Sequence, residues 1–281
     1  MKAIVIKDIC PLYKEASRES ELADEALYGM VVEILSKERG GFCYVRTHYN
    51  YEGFAARADL LEDAGCAEYW ENAPKWTVWS PYLDVKAGPK VQAYGVACCP
   101  RGGLLEKLGG VGGERNGFVD DGYLKVGLPG GGAGFVRKSC VAPQAAAWDK
   151  SDETRIRAEL VRTAMSYLGV QYRWGGKTPL GIDCSGLTSM AYMLHGILIY
   201  RDAEMRPEFE MREIPFEQKR PGDLLFFEGH VAMYIGNDEF IHSTAYKEAP
   251  GVVVNSLDPC SPSYRKGLMD IYIKTGSVFT I

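Results

Sequence analysis

The apolar pattern changes character once along the chain, near Ala142-Pro143-Gln144-Ala145-Ala146-Ala147. Before that point, short β-rich runs such as Val31 to Leu35 and Phe42 to Thr47 alternate with turn-rich stretches, and no long helical period appears. After it, Ser151 or Asp152 can cap a helix on which Ile156, Leu160, Ala164 and Leu168 recur along one face, with Gly169 as its C-terminal cap. Leu187, Met190, Ala191 and Leu194 mark a second helix, stopped by Gly196. From Asp223 the alternation is strand-like again, in DLLFF, HVAMYIG, EFIHS, GVVVNS and MDIYIK. Helices first and strands second predict an α+β domain over residues 148–281, behind an all-β half. The 281 residues are about twice the ~150 expected of one domain, which agrees with a multi-domain chain.

A weak repeat runs through the β half at an offset of 81 residues. Phe42, Val45, Gly53 and Phe54 align with Tyr123, Val126, Gly134 and Phe135, and the tails match as Ala55 with Val136 and Leu60 with Val141. Each copy is a hydrophobic strand, a turn, a Gly-aromatic pair and a short closing strand. Between residues 101 and 134 lie 13 glycines, but no Lys-Ser/Thr follows them and no strand-Gly-helix context surrounds them. They are expected to be loops between barrel strands rather than a phosphate cradle.

Composition removes several function classes. The net charge of −5 disfavours a nucleic-acid or anionic-membrane binder, and no apolar run reaches the ~18 residues of a membrane helix. The N-terminus, with one Lys before a four-residue apolar run, does not read as an export signal, so a cytoplasmic setting with reduced thiols is expected. The eight cysteines contain no CxxC pair, the four histidines are dispersed and no HExxH occurs, so neither a metal nor another cofactor is expected.

The chemistry gathers around Asp183-Cys184-Ser185-Gly186, which opens the second helix. A thiol in a first helical turn feels free N–H groups and the positive end of the dipole, which favour thiolate and can hold an oxyanion. A buried structural cysteine is the alternative. His230 and His242 lie twelve residues apart across a hairpin with its turn at Gly236-Asn237-Asp238-Glu239, so both can project from one sheet face. A thiol, a histidine base and a group that orients the base make a nucleophilic site. His48 falls in a polar turn and His195 in the last turn of a helix, where both read as structural.

Residues from about 150 onward resemble the NlpC/P60 cysteine peptidases, a papain-like α+β fold. The matching pieces are Tyr172-Arg173-Trp174-Gly175-Gly176, Asp183-Cys184-Ser185-Gly186-Leu187, Arg201-Asp202-Ala203, Arg220-Pro221-Gly222-Asp223-Leu224, Gly229-His230 through Gly236, and Ile241-His242-Ser243. The resemblance implies Cys184 as nucleophile, His230 as base, His242 as the residue holding His230, and Tyr172 as an aid to oxyanion binding. The β half resembles paired bacterial SH3 modules through Tyr51-Glu52-Gly53-Phe54 and Gly132-Ala133-Gly134-Phe135. The expected layout is thus two small SH3-like β-barrels, residues 1–66 and 67–145, followed by a peptidase domain over 148–281.

That combination is similar to γ-D-glutamyl-L-diamino acid endopeptidases of murein-peptide recycling, which act on peptides with a free N-terminal L-Ala. In that subfamily the first barrel caps the active site. The resemblance implies a murein peptide as the partner of a monomeric enzyme. It also implies an ammonium site built from Tyr51, Asp183, Ser185 and Asp202, since an ammonium group needs carboxylates or hydroxyls. Asp183 also reads as a plain helix cap. The chain departs from the subfamily pattern at Met30 and Ala203. The mixed-charge stretch 201–220 reads as solvated surface, or else as a groove wall for the zwitterionic diamino acid. A general wall hydrolase, a thiol amidase or acyl transferase, and a non-catalytic peptide-binding protein are the alternatives.

Overall fold

The computed structural model describes residues 1–38, 40–108, 118–119, 122–145, 147–148 and 150–279, arranged as two compact units, Met1–Gln144 and Ala145–Ile281. Of the glycine-rich stretch, Gly109, Gly110, Gly112, Gly113 and Gly117 lie outside the described residues, as does Ala146 of the expected linker.

The N-terminal unit holds two antiparallel sheets. The first comprises β1 (Lys2–Val5), β2 (Ile9–Tyr13), β3 (Leu22–Leu27), β4 (Val31–Glu38), β5 (Phe42–Thr47), β6 (Glu52–Ala56) and β7 (Leu60–Leu61), in the order β3-β2-β6-β5-β4-β1-β7. The second comprises β8 (Lys75–Val78), β9 (Tyr82–Lys86), β10 (Gly95–Pro100), β11 (Leu104–Lys107), β12 (Phe118–Val119), β13 (Tyr123–Gly127), β14 (Ala133–Arg137) and β15 (Val141–Pro143). Its order is β10-β9-β14-β13-β11-β8-β15, with β12 paired to β13. Setting β12 aside, the two orders are the same. The 81-residue offset survives in the register: Val45 faces Gly53 as Val126 faces Gly134, and Tyr44 faces Phe54 as Lys125 faces Phe135. In each copy a three-residue 3-10 turn, Arg57–Asp59 or Lys138–Cys140, leads into the closing strand.

The repeated glycine has a steric reason. A Cβ on Gly53 would come within 3.0 Å of Leu12 Cβ, and one on Gly134 would meet Lys86 O at 3.2 Å and crowd Val85. Both glycines let a strand lie close against its neighbour, β2 or β9. Gly130, Gly131 and Gly132 serve the β13–β14 turn with positive φ. One element departs from the all-β expectation: α1 (Ala64–Asn72), capped by Asp63 accepting from the Cys66 N–H. It buries only Ala67 and Trp70, three residues apart, so its pattern is too short to show a helical period. It also spans the expected 66/67 boundary.

In the C-terminal unit the helices do come first. Asp152 caps α2 (Glu153–Met165), and Ile156, Leu160 and Ala164 are buried. The helix stops four residues before Gly169, which leaves Leu168 54% exposed instead of on the buried face. The short strands β16 (Lys177–Thr178) and β17 (Gly181–Ile182) precede α3 (Cys184–Met193), whose residues are buried on every side through Tyr192. Beyond it, β18 (Arg212–Ile214), β19 (Leu224–Phe227), β20 (His230–Gly236), β21 (Glu239–Thr244), β22 (Gly251–Ser256) and β23 (Tyr272–Ser277) form an antiparallel sheet ordered β18-β23-β19-β20-β21-β22. The last expected strand starts later than MDIYIK suggests, because Met269 ends a one-turn helix, α4 (Lys266–Met269).

Helix α3 packs against β20 and β21. The Arg220-Pro221-Gly222-Asp223-Leu224 motif ties α2 to this layer: the fully buried Asp223 accepts from Arg157 Nη1 at 2.9 Å and from the Arg220 N–H at 2.8 Å. Among the described residues, no helix is long and apolar enough to cross a membrane.

Gly134→Ala and Gly53→Ala are each expected to destabilise the N-terminal unit by about 1–3 kcal/mol through overpacking. Gly131→Ala, where nothing lies within 4 Å but φ is +101°, tests backbone strain alone. Urea midpoints of the three variants separate the two costs, and an unchanged midpoint for Gly134→Ala would contradict the close-approach account.

Candidate active site

Asp183 is the N-cap of α3, and its carboxylate accepts the Gly186 N–H at 2.6 Å. Its second oxygen takes the Gly175 N–H at 2.8 Å, so it pins the Trp174-Gly175-Gly176 turn to the helix start. Gly186 is required there, since a Cβ would meet Gly176 O at 2.2 Å. Arg201, 1% exposed, completes the arrangement with a fork to both Asp183 oxygens at 3.0 Å and a bond to Ser185 Oγ at 2.8 Å.

One expectation changes here. Arg201 is buried, so the mixed-charge stretch 201–220 is not solvated at its first residue. Asp183 and Ser185, expected as ammonium ligands, are committed to Arg201, to each other and to backbone N–H groups. Asp202 is not part of that arrangement; it lines a cavity with Thr188, Tyr200, Glu204, Arg206 and Val231. Tyr51 belongs to the other unit, in the turn between β5 and β6.

Cys184 begins α3 and is 7% exposed. Its sulfur takes hydrogen bonds from the backbone N–H of Val231 and of Ser185, and Val231 adjoins His230 on β20. His230 and His242 share a sheet face as diagonal neighbours rather than directly opposite residues, because the register sets Met233 against Ile241. Their rings meet at 2.7 Å, His230 Nε2 to His242 Nδ1. His242, 1% exposed, reaches Asn255 Oδ1 through Nε2 at 2.8 Å.

The protons along this chain follow from its far end. Asn255 Nδ2 donates to Ser263 O at 2.8 Å, which fixes the amide orientation and makes Oδ1 the acceptor. His242 therefore carries its proton on Nε2 and offers a lone pair at Nδ1. His230 then donates from Nε2, and its Nδ1 is left as the basic nitrogen.

Burial against Phe227, followed by the neighbouring His242 and Arg265, pushes His230 down to about 3. Burial also drives His242 down to about 4, the Asn255 hydrogen bond opposing and Arg265 assisting. The Cys184 thiol moves the other way, up to about 11, through burial first and Asp183 second; the N–H groups of Val231 and Ser185 and the Arg201 charge lower it but do not win. The helix start thus does not deliver a resting thiolate. Thiol and imidazoles are all neutral at pH 7. Tyr172, half-buried and bridged to Ile182, is raised by burial and by Cys184 and Asp183, so its hydroxyl stays a donor near the sulfur.

Residues 169–264 match the NlpC/P60 family model, and residues 12–60 match a model described as a bacterial dipeptidyl-peptidase SH3 domain. The chain is 38% identical over 279 residues to a dipeptidyl-peptidase 6 of Lysinibacillus sphaericus, covering 99% of this chain and 100% of the relative. The chain belongs to the NlpC/P60 family. It is accordingly a hydrolase, a cysteine peptidase, with an SH3 domain ahead of the catalytic one. A γ-D-glutamyl-L-lysine dipeptidyl-peptidase of Bacillus subtilis is 33% identical over 132 residues, 44% of this chain and 42% of the relative. The crystal structure of an NlpC/P60 family protein from Bacillus cereus shares the fold, with a TM-score of 0.78 over 98% of both chains at 22% identity.

Two participants in this NlpC/P60 site escape a sequence reading. Asn255 is one polar side chain in the apolar strand GVVVNS, and only its position diagonal to His242 in the β21–β22 register marks it. Arg201 stands in a run of charges, where burial is not visible.

Both histidines have folded pKa values below the ordinary 6.5, so the unfolded chain binds more protons as the pH falls. Their contribution to stability is complete above about pH 6.5 and declines as the pH drops towards 4 and 3. His242→Gln, which keeps an amide for hydrogen bonding and removes one titration, is expected to flatten that decline. Urea midpoints for both proteins between pH 7 and about pH 4 provide the check. Parallel profiles would contradict it.

Proposed function

We propose that this peptidase hydrolyses the γ-D-glutamyl–diamino acid bond of murein peptides that carry a free N-terminal L-Ala, in cell-wall peptide recycling. The observation that carries the chemistry is the relay from Asn255 through His242 to His230, which leaves His230 Nδ1 as a neutral base beside the segment that bonds the Cys184 sulfur. The relatives' names support the substrate class.

In this mechanism Cys184 loses its proton to His230 Nδ1 as the sulfur attacks the γ-carbonyl carbon. A thiol raised to about 11 and a histidine lowered to about 3 make a standing ion pair costly, so proton transfer and attack proceed together. The oxyanion is held by backbone N–H groups at the start of α3 and by the Tyr172 hydroxyl. The C–N bond then breaks, the imidazolium returns its proton to the leaving amine, and water hydrolyses the thioester to free the L-Ala-D-Glu dipeptide. We assign the ammonium contact to Asp202, on the wall of the cavity that Val231 also lines.

The N-terminal unit is read as two SH3-like modules, residues 1–66 and 67–145, ahead of a catalytic domain over 148–281. The shared strand order and the preserved 81-residue register support this duplication.

Cys184→Ser is expected to lower kcat by several orders of magnitude with the fold intact, as read by product formation and circular dichroism; undiminished turnover would sink the mechanism. A second comparison tests the substrate. L-Ala-γ-D-Glu-L-Lys is expected to be cleaved and its N-acetylated copy left intact. Equal cleavage of both would favour a general wall hydrolase instead.

A further inference from the structure

Arg265 stands at the end of the same hydrogen-bonded chain that orders the histidines. Asn255 uses its oxygen on His242 and its Nδ2 on Ser263 O, so one amide both orients the relay and anchors the segment after β22. That segment is fastened again by the Ser256 N–H to Ser263 O and by a parallel bridge between Ser256 and Tyr264. Arg265 follows directly. Its guanidinium lies 3.5 Å from the centroid of the Tyr246 ring, a stacking that fixes the plane of its donors. Its charge reaches both rings, since it lowers His230 and His242 alike.

Among the described residues, no carboxylate pairs with this half-buried cation. The nearby acids are otherwise engaged: Asp270 with Lys266, and Asp258 with the Cys260 N–H. A pre-oriented guanidinium with unused donors matches the planar, bidentate geometry of a carboxylate. Its place relative to the scissile bond follows from the proton path. His230 returns its proton to the departing amine, so the departing residue lies on the histidine side, and Arg265 lies on that side too.

We propose that Arg265 is the anion-binding element of the leaving-group subsite and takes a carboxylate of the diamino acid released by the reaction. This rests on the γ-D-glutamyl peptidase reading above. Two carboxylates fit the chemistry, the main-chain one of a C-terminal diamino acid and the side-chain one of diaminopimelate.

The test compares wild type, Arg265→Gln and Arg265→Lys on three peptides: L-Ala-γ-D-Glu-meso-diaminopimelate, L-Ala-γ-D-Glu-L-Lys, and the latter as its C-terminal amide. Removing the Arg265 charge also lets both histidines titrate higher, but that change is common to all three peptides and cancels in their ratios. The loss of kcat/KM in Arg265→Gln is expected to be about tenfold greater on a carboxylate peptide than on the amide, mostly in KM, with partial rescue in Arg265→Lys. If both acids suffer, the main-chain carboxylate is bound; if diaminopimelate alone suffers, the side-chain one is. Equal losses on all three peptides, or none, would overturn the assignment to Arg265 while leaving the peptidase reading in place. Failure of the wild type to cleave any of them would overturn the reading itself, and this proposal with it.

Discussion

The position of the thiol depends on a buried ion pair. Asp183 and Arg201 are each almost fully shielded from water, and each would be costly there without the other. Their fork joins three separate segments: the turn at Gly175 and Gly176, the first turn of α3, and the irregular segment that follows α3 and ends at Arg201. The N-cap bond alone would fix only the helix start. The guanidinium fixes where that helix start stands relative to the turn, and with it the direction in which Cys184 projects. Asp223 and Arg157 repeat the device one layer away, where α2 meets β19. In both, a charge inside the fold holds separate segments in one arrangement.

The candidate site was legible in the sequence as far as residue types carry chemistry. Cys184, His230, His242 and Tyr172 belong to ordered motifs, and the structure brings the two histidines into contact and sets the thiol against Val231, next to His230. What was not legible is burial. The first helical turn suggests a thiolate, but two N–H groups and the Arg201 charge lower the thiol by less than burial and Asp183 raise it. The same blindness hid Arg201 among surface charges and gave Asp183 and Ser185 a ligand role that their hydrogen bonds now compete with. Asn255 escaped because its meaning lies in register, a property of two strands and not of one.

The fold followed a similar rule. Strand runs and the two long helices are visible because their periodicity extends over enough residues. Helix α1, with two inward positions, and the early end of α2 before Leu168 fall below that length. The 81-residue offset, resting on a few matched residues in the sequence, became persuasive only when the same pairs occupied the same rungs in both sheets.

The neutral resting state of the relay also bears on chemical damage. Oxidants and alkylating agents attack thiolates, and their preference among cysteines follows thiolate fraction and exposure. Cys184 offers little of either, with its sulfur buried and its proton held to about pH 11. Cys98 and Cys260 are exposed, and of the two the Cys98 thiol is pushed up by burial and by Asp84. A peroxide or an electrophile arriving from solvent therefore meets exposed sulfur such as that of Cys260 first, while the proposed nucleophile is shielded by the environment that keeps it neutral between substrates.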